Sequence, residues 1–208
     1  PLSKCAVQML LDRAIQGPHL RYTIWACRPE ATAETRLQAA TVLGLLSKNQ
    51  LNWKTLVEGD ALLHLVSCMI PDTGKLTLDW GLQRAAMIAM FELAYCTPSV
   101  KQALAELHTI ERLVFLLKTS TNKDVKYWSS VILHALILEE SLQAKAVTLG
   151  VVPVLVEVAS AAECSATQGT FATQKLAMHA LILLATSEAT QDHKNILAEM
   201  VECGIVPV

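Results

Sequence analysis

The pentapeptide HALIL occurs twice in the chain, at His134–Leu138 and at His179–Leu183, 45 residues apart. Identical apolar segments at this separation indicate an internal repeat, and a period of about 45 residues is typical of helices stacked in a solenoid. Each unit of such an array buries its apolar face only against its neighbours, which leaves a long surface free for partners. The period therefore favours a recognition scaffold over an enzyme.

The composition argues against several classes of protein. Of the 208 residues, 52% are hydrophobic and 17% are charged, so we expect an ordered chain. The net charge is −2 and no block of lysine or arginine is present, which argues against a nucleic-acid partner or a tether to anionic membranes. No apolar run reaches the roughly 18 residues of a transmembrane helix, so we expect no direct insertion into a membrane.

The six cysteines form no CxxC pair and no regular framework. In a chain rich in Leu and Ala they are typical of reduced thiols in a core, which predicts a cytoplasmic protein, or one associated with the nucleus or the cytoskeleton. The chain has no initiator Met and stops at GIVPV, where a further helix is expected to start. We therefore expect it to be a fragment of a longer solenoid.

Long helices recur at nearly constant intervals. Apolar residues at i, i+3, i+4 and i+7 predict four of them, and the last two contain HALIL. One position near the end of each helix marks the register, and the four marker residues are Leu45, Glu92, Leu138 and Leu183. Their separations of 47, 46 and 45 residues are stronger evidence for a repeat than the pentapeptide alone.

A second element lies between the long helices. It reads EGDALLHLVSCM at Glu58–Met69, ELHTIERLVFLL at Glu106–Leu117 and LGVVPVLVEVA at Leu149–Ala159, and a truncated copy, ECGIVPV, spans Glu202–Val208. The register of each copy starts at a small or polar corner residue, and these are Asp60, His108, Gly150 and Gly204. Glycine suits a sharp corner between helices because it tolerates positive φ.

Together these elements resemble the armadillo repeat. The resemblance rests on a short helix, a corner of the form glycine–apolar–apolar–proline followed by leucine–valine, and a long Ala/Leu helix; it extends from about Arg36 onward and is clearest at Leu149–Ala159. The repeats are degenerate, because Asp60 and His108 replace the corner glycine. The resemblance implies an all-α, right-handed α-solenoid of about four armadillo-like repeats. HEAT-like repeats, which have two helices, are the nearest alternative.

The expected organisation is a single repeat array over residues 1–208. Its repeats are predicted at about 36–57, 58–105, 106–148 and 149–200, with a partial repeat at 1–16 and a truncated one at 201–208. Residues 17–35 interrupt this pattern and are predicted to be an insertion. Within them, Trp25 stands beside Tyr22, Arg21 and Arg28, a set typical of binding hot spots. Alternatively, Tyr22, Ile24 and Trp25 fold back and cap the N-terminal end of the array.

The resemblance also implies a binding surface. In armadillo proteins the third helix of each repeat lines a concave groove, and peptide-binding members place asparagines there that hold the peptide backbone. The matching positions are the four marker residues, and none of them is Asn. Nuclear-import adaptors also present tryptophans four residues earlier, where this chain has Thr41, Ile88, His134 and His179. A transport receptor of the importin-alpha type is therefore only an alternative.

The predicted groove is partly apolar. Its apolar residues are Leu45, Ile88, Leu138 and Leu183, and it is edged by Arg84, Glu92, His134, Lys175 and His179. Such a strip suits an amphipathic helix or a folded protein surface as partner, since both present leucine-type anchors. We therefore predict a non-enzymatic scaffold or adaptor that binds proteins, with self-association as a further expectation.

Four alternatives remain open from the sequence. The marker leucines could belong to the core between repeats, and unseen flanking repeats could cover the strip. The two histidines could reflect repeat ancestry without any chemistry. The array could also be a chaperone or regulatory domain of a larger multidomain protein.

Catalytic and metal-binding motifs give no support to an enzyme. The chain contains no GxSxG, GxxxxGK[ST], GxGxxG or HExxH string. His64 and Cys68 are spaced i, i+4 on a predicted helix and could supply two metal ligands, but no second pair accompanies them. We predict no catalytic residue, no cofactor and no metal site.

Overall fold

The structure, a computed structural model, describes residues 18–69, 79–95, 98–160, 168–188 and 193–202. Within these ranges every regular element is a helix. None of the described helices is by itself long and apolar enough to cross a membrane, and the one pair that reaches that length together is bent by 88°. The chain divides into two compact units, Pro1–Cys96 and Thr97–Val208, which we describe separately.

The first unit contains five helices among its described residues. They are α1 (Pro18–Ala26), α2 (Ala33–Ser47), α3 (Trp53–Glu58, preceded by a 3₁₀ turn at Gln50–Asn52), α4 (Ala61–Met69) and α5 (Trp80–Ala94). The two long helices, α2 and α5, pack against each other, and α4 packs on α5. Helices α3, α4 and α5 therefore form one group in the order short, medium, long.

The second unit repeats this order twice. Its described helices are α6 (Pro98–Glu106), α7 (Thr109–Thr119), α8 (Lys123–Ile137), α9 (Glu140–Thr148), α10 (Val151–Ser160), α11 (Gln168–Thr186) and α12 (His193–Glu202). The long helices α8 and α11 pack against each other, α7 packs on α8, and α10 packs on α11. The groups α6–α8 and α9–α11 thus have the same internal arrangement.

The buried core residues of the long helices lie at the predicted apolar positions, spaced i, i+3, i+4 and i+7. Each contributes a pair of large apolar side chains that are almost fully buried: Leu43 and Leu46, Met90 and Leu93, Ile132 and Leu136, and Leu181 and Leu184. Full burial of such a side chain contributes roughly 1.5–3 kcal/mol to folding. Polar N-caps start three of these helices, since Thr32, Asp79 and Asn122 accept hydrogen bonds from first-turn backbone N–H groups.

The corner residues adopt the backbone conformation that the sequence predicted. Asp60, His108 and Gly150 have φ values of 62°, 57° and 72°, and each lies directly before the second helix of its group. This left-handed conformation is strained for residues with a Cβ atom, and aspartate is among those that tolerate it best. The fourth corner, Gly204, and the predicted partial repeat at 1–16 lie outside the described residues.

Gly150 offers a test of the corner geometry. An ideal Cβ at this position would meet no atom within 4 Å, so a substitution there changes only the backbone energy. We expect Gly150→Ala to lower the free energy of unfolding by about 1 kcal/mol, and Gly150→Asn to lower it less, because asparagine tolerates positive φ. Urea unfolding of the three proteins measures this, and equal stability of all three would contradict the left-handed corner.

Residues Pro18–Ala26 of the predicted insertion at 17–35 form helix α1, an element that the sequence interpretation did not assign. Helix α1 forms because Leu20, Ile24 and Cys27 recur at i, i+4 and i+7, and all three are buried. It packs against α2 and α4 as part of the first unit. The two prolines obscured this period in the sequence, although Pro18 occupies the first position of the helix, where proline is tolerated.

Two cysteines and an arginine join α1 to α4. Cys27 and Cys68 are buried and unpaired by disulfide, as predicted for reduced core thiols, and the other four cysteines lie outside the described residues. The Arg36 guanidinium donates to the Cys27 carbonyl and to the Cys68 sulfur, both at 3.4 Å. A hydrogen bond from the Cys27 thiol, aided by Arg36, lowers the pKa of Cys68 to about 7 although burial opposes this. Cys68 therefore lies in the core against Cys27 and Arg36.

Buried side-chain amides satisfy backbone carbonyls at the ends of three helices. Asn52 Nδ2 donates to the Leu46 carbonyl at 2.8 Å, and Gln143 Nε2 donates to the Ile137 carbonyl at 2.9 Å, in both cases six residues back along the chain. Gln83 Nε2 likewise donates to Met69 at 2.7 Å. The last carbonyls of a helix have no partner within it, so these amides stabilise the chain reversals that bring one helix back onto the next.

Candidate functional site

A concave depression lies between α2 and α5 in the first unit, and we call it the α2–α5 groove. Its volume is about 350 Å³, and it is lined by Leu37, Thr41, Gly44, Leu45, Lys48, Gly81, Arg84, Ala85 and Ile88. The structure therefore brings together three residues of the predicted groove, Leu45, Arg84 and Ile88. Glu92, one turn further along α5, is half-buried and does not line this depression.

Small residues shape the α2–α5 groove. An ideal Cβ on Gly44 would lie 3.6 Å from Ala89 Cβ, so the two long helices already approach closely at this point. Gly81 leaves the side chain of Leu37 open to the groove.

Leu45 has 45% of its surface exposed, which is not the burial of a core residue. The alternative that places Leu45 in the core between repeats therefore does not describe this leucine.

The polar groups of the α2–α5 groove are few. The Thr41 hydroxyl donates to the Leu37 carbonyl at 2.8 Å, so its hydrogen is used within α2. The charged residues of the lining are Lys48 and Arg84, and both are exposed. The result is an apolar wall with two cationic side chains. Of these residues, the sequence interpretation missed Lys48, because the lysine lies just beyond the end of the long helix.

In the second unit the repeated histidines touch. His134 on α8 is 7% exposed, and His179 on α11 is exposed. Their Nε2 and Nδ1 atoms lie 2.7 Å apart, and the ring centroids lie 4.9 Å apart. One neutral imidazole donates to the other at this distance. Equivalent residues of two successive repeats thus face each other, and the histidine pair has a packing and hydrogen-bonding role beyond shared ancestry.

Three other residues of the predicted groove, Leu138, Leu183 and Lys175, each lie one helical turn from a histidine of this pair. Leu138, at the end of α8, is 42% exposed and so is not a core residue. Leu183 on α11 is half-buried, and Lys175, one turn before His179, is exposed. The long helices of this unit therefore present a leucine and a lysine near the histidine pair.

The histidine pair is expected to make stability depend on pH. Burial, and then the positive charge that His179 would carry, lower the pKa of His134 below its usual 6.5. The unfolded chain consequently binds more protons than the folded chain near pH 6, so the free energy of unfolding should fall as the pH drops through about 6.5. Thermal unfolding at about pH 7.5 and about pH 5.5 measures this loss.

The control for the pH effect is His134→Gln, which keeps a polar side chain and removes the titrating group. The free energy of unfolding of His134→Gln should change less with pH than the free energy of unfolding of the parent protein. Some dependence should remain, because burial and Arg28 also lower the pKa of His64. Identical pH dependence of the two proteins would show that the histidine pair does not resist protonation.

A second exposed surface lies on α1. Tyr22 and Trp25 are 68% and 58% exposed, whereas Ile24 is buried. They line a depression of about 520 Å³ together with Arg21, Arg28, Glu58, Asp60 and His64. The exposure of Tyr22 and Trp25 contradicts the alternative that all three residues fold back to cap the array. We call this surface the aromatic patch. In the described part of the chain, no group of three His, Cys, Asp or Glu side chains could hold a metal ion.

Comparisons with known proteins identify the fold. No family model matches the chain, and no curated protein matches its sequence. Among solved structures, computationally designed armadillo repeat proteins for modular peptide recognition match 99% of this chain and 84% of theirs, at 18% identity and a TM-score of 0.73. The chain has an armadillo-repeat fold. The armadillo repeats only protein from Plasmodium falciparum is also similar, with 97% and 93% of the two chains covered, 15% identity and a TM-score of 0.67.

A third armadillo structure adds a ligand. It is a designed armadillo repeat protein in complex with peptide (KR)4; the match covers 96% of this chain and 76% of that one, at 18% identity and a TM-score of 0.73.

The armadillo fold gives the helix groups their names. The three-helix repeats are α3–α5, α6–α8 and α9–α11, and the third helices are α2, α5, α8 and α11. Three helices in each group distinguish the repeats from the two-helix HEAT alternative.

Proposed function

We propose that this armadillo chain is a non-enzymatic scaffold or adaptor that binds protein partners through the exposed faces of its third helices. The observation that carries the proposal is the exposure of Leu45 and Leu138, two marker leucines at equivalent positions of different repeats. Exposed apolar patches mark interaction sites, and the recurrence of exposed leucines at one register position supports a role in binding. We further propose that the protein acts in the cytoplasm, with the nucleus or the cytoskeleton as alternatives.

An amphipathic helix or a folded protein surface fits these faces best. The α2–α5 groove offers an apolar cavity without the asparagine that holds an extended peptide backbone in peptide-binding armadillo proteins. Leucine-type anchors can fill such a cavity with little need for backbone hydrogen bonds. Self-association through the same exposed leucines is a weaker form of this proposal, and sedimentation at high concentration tests it.

Two alternatives carry less support. A transport receptor of the importin-alpha type would bind basic peptides, and the cations of the α2–α5 groove, Lys48 and Arg84, oppose that ligand. A chaperone or regulatory domain of a larger protein would use the same fold.

The aromatic patch is a second candidate contact surface, because Trp25 and Tyr22 are exposed beside two arginines, a composition enriched at binding hot spots.

Two substitutions on the third helices of the second unit test the proposal. A displayed library of amphipathic helical peptides is selected against the whole chain, and the affinity of the selected peptides is measured by fluorescence anisotropy. We expect Leu138→Asp combined with Leu183→Asp to weaken binding about tenfold, because the carboxylates replace apolar anchors. Phe115→Asp is the matched control, since Phe115 on α7 is also 42% exposed but does not lie on a third helix.

The comparison between the two variants decides the outcome. Circular dichroism first establishes that both variants keep the helical content of the parent. Unchanged affinity of the double variant, or an equal loss in Phe115→Asp, would remove the third helices of this unit from the proposed binding surface.

A further inference from the structure

The long helix α11 exposes two apolar side chains one helical turn apart. Met178 is 39% exposed and Ile182 is 47% exposed. Residues spaced i, i+4 lie on the same side of a helix. The outer face of a solenoid that stays in water is polar, so this apolar side of α11 indicates a contact surface.

The register of the repeat gives the direction in which this side of α11 faces. Ile182 lies one residue before its marker, as Gly44 does in α2. An ideal Cβ on Gly44 would lie 3.6 Å from the Cβ of Ala89 in α5, so this register position faces the third helix that follows. Ala180 has the register position of Ala89 and is buried. Because each residue turns the helix by about 100°, Ile182 and Ala180 lie on nearly opposite sides of α11. Ile182 therefore faces away from α8, toward the place of a following third helix.

The preceding long helix of the same unit indicates what fills such a place. In α8, Leu133 and Ile137 have the register positions of Met178 and Ile182, and both are fully buried. Helix α11 packs against α8. A third helix therefore covers these positions in α8, whereas the described part of the chain leaves the same positions of α11 open.

The 208 residues do not themselves supply a further third helix. In each group the third helix begins at least 15 residues after the corner, as α8 does at Lys123 after His108. The sequence reaches Val208 only four residues after the corner at Gly204. In a solution of the pure chain, a helix that covers this side of α11 therefore comes from a second copy.

We propose that the side of α11 formed by Met178 and Ile182, which we call the α11 outer face, pairs with the same face of a second copy of this chain. The two α11 helices lie antiparallel about a two-fold axis, so that Met178 of each copy contacts Ile182 of the other. An interface that pairs one face with itself closes at the dimer, whereas pairing of two different faces gives rings or open chains. The inference goes beyond the proposed function, because the α11 outer face contains none of the marker leucines.

The charge beside the α11 outer face favours the antiparallel direction. Lys175 is exposed and lies one turn before Met178. When Met178 opposes Ile182, Lys175 opposes the last turn of α11 in the other copy, where that helix ends at Thr186. The C-terminal end of a helix carries partial negative charge and favours a nearby cation. A parallel pair would instead bring the two lysines together, and like charges repel.

Sedimentation equilibrium of the whole chain tests the proposal. The protein is measured between about 5 and about 500 μM, a range that covers weak dimers. We expect a monomer–dimer equilibrium without larger species, because the interface uses one face of each copy and closes.

Two variants assign the dimer to the α11 outer face. Met178→Glu combined with Ile182→Glu should raise the dissociation constant of the dimer about tenfold or more, since carboxylates replace the apolar contacts. Lys175→Glu should raise it severalfold, because a carboxylate near the C-terminal end of a helix is unfavourable. Lys175 is exposed, so this second variant keeps the test decisive if circular dichroism finds the double variant unfolded.

Phe115→Glu is the matched control. Phe115 is 42% exposed and lies on α7, which is not a third helix. Its substitution introduces the same carboxylate at an exposed apolar residue of the same unit, so the dissociation constant of the dimer should stay that of the parent protein.

The outcomes separate this inference from binding through the marker leucines. A monomer over the whole concentration range, or oligomers that grow beyond the dimer, would overturn it. An equal loss in Phe115→Glu would do the same. A dimer that persists in both α11 variants but dissociates in Leu138→Asp combined with Leu183→Asp would assign self-association to the marker leucines, and the α11 outer face would have no part in it.

Discussion

Replacement of Leu136 by alanine is expected to lower the free energy of unfolding by about 2–5 kcal/mol. Leu136 lies in α8, which packs against α7 and α11. The side chain of Leu136 is fully buried. Truncation to alanine removes the transfer free energy of three carbon atoms and leaves a cavity that the close-packed helices can only partly fill. Urea unfolding followed by far-UV circular dichroism measures the loss as a shift of the midpoint.

Leu138→Ala is the matched control, since the same residue type occurs two positions later in the same pentapeptide. Leu138 is largely outside the core, and a substitution at such a position usually changes stability by no more than about 0.5 kcal/mol. A large difference between the two variants is therefore the expected result. Similar losses would place Leu138 in the core and would remove the main support for binding through the third helices.

The second large effect is expected at Gln143, where Gln143→Met should cost about 1–3 kcal/mol. Methionine has nearly the volume and flexibility of glutamine but cannot donate a hydrogen bond. The buried Ile137 carbonyl at the end of α8 would lose the donor that now lies 2.9 Å away. The same urea titration reports the loss.

Gln50→Met provides the comparison for this prediction, because Gln50 is exposed and its substitution should leave stability nearly unchanged. Asn52→Leu should resemble Gln143→Met in the first unit, since Asn52 makes the corresponding contact to Leu46. If Gln143→Met and Gln50→Met were equally stable, water would have to replace the amide at the Ile137 carbonyl, and the amide would have no structural role.

Local patterns in the sequence predict the fold well because helices record their buried face at a fixed period. The residues at i, i+3, i+4 and i+7 include the buried pairs of all four long helices, and positive φ at Asp60, His108 and Gly150 follows from their place at a sharp corner. Helix α1 was missed because prolines and exposed aromatic residues hide a short apolar period. The helix-end amides of Asn52, Gln83 and Gln143 were missed because the sequence does not show which distant carbonyl a side-chain amide will reach.

The candidate site is predicted only in part. The alignment of repeats assigned Leu45, Arg84 and Ile88 to one groove, where the structure also places them. It put His134 and His179 at equivalent positions, but it did not predict that their rings form a hydrogen bond. It did not reveal the cavity, which depends on how closely α2 and α5 approach at Gly44. The distance between two packed helices is set by the side chains at their contact and not by the apolar period within either helix.

Hydrogen–deuterium exchange of the whole chain, with and without a saturating selected peptide, tests the central claim most directly. Binding through the third helices predicts slower exchange in peptides from α2 and α5, or from α8 and α11, and no change in α4, α7 and α10. Protection confined to α4, α7 or α10, with all four third helices unchanged, would contradict the claim.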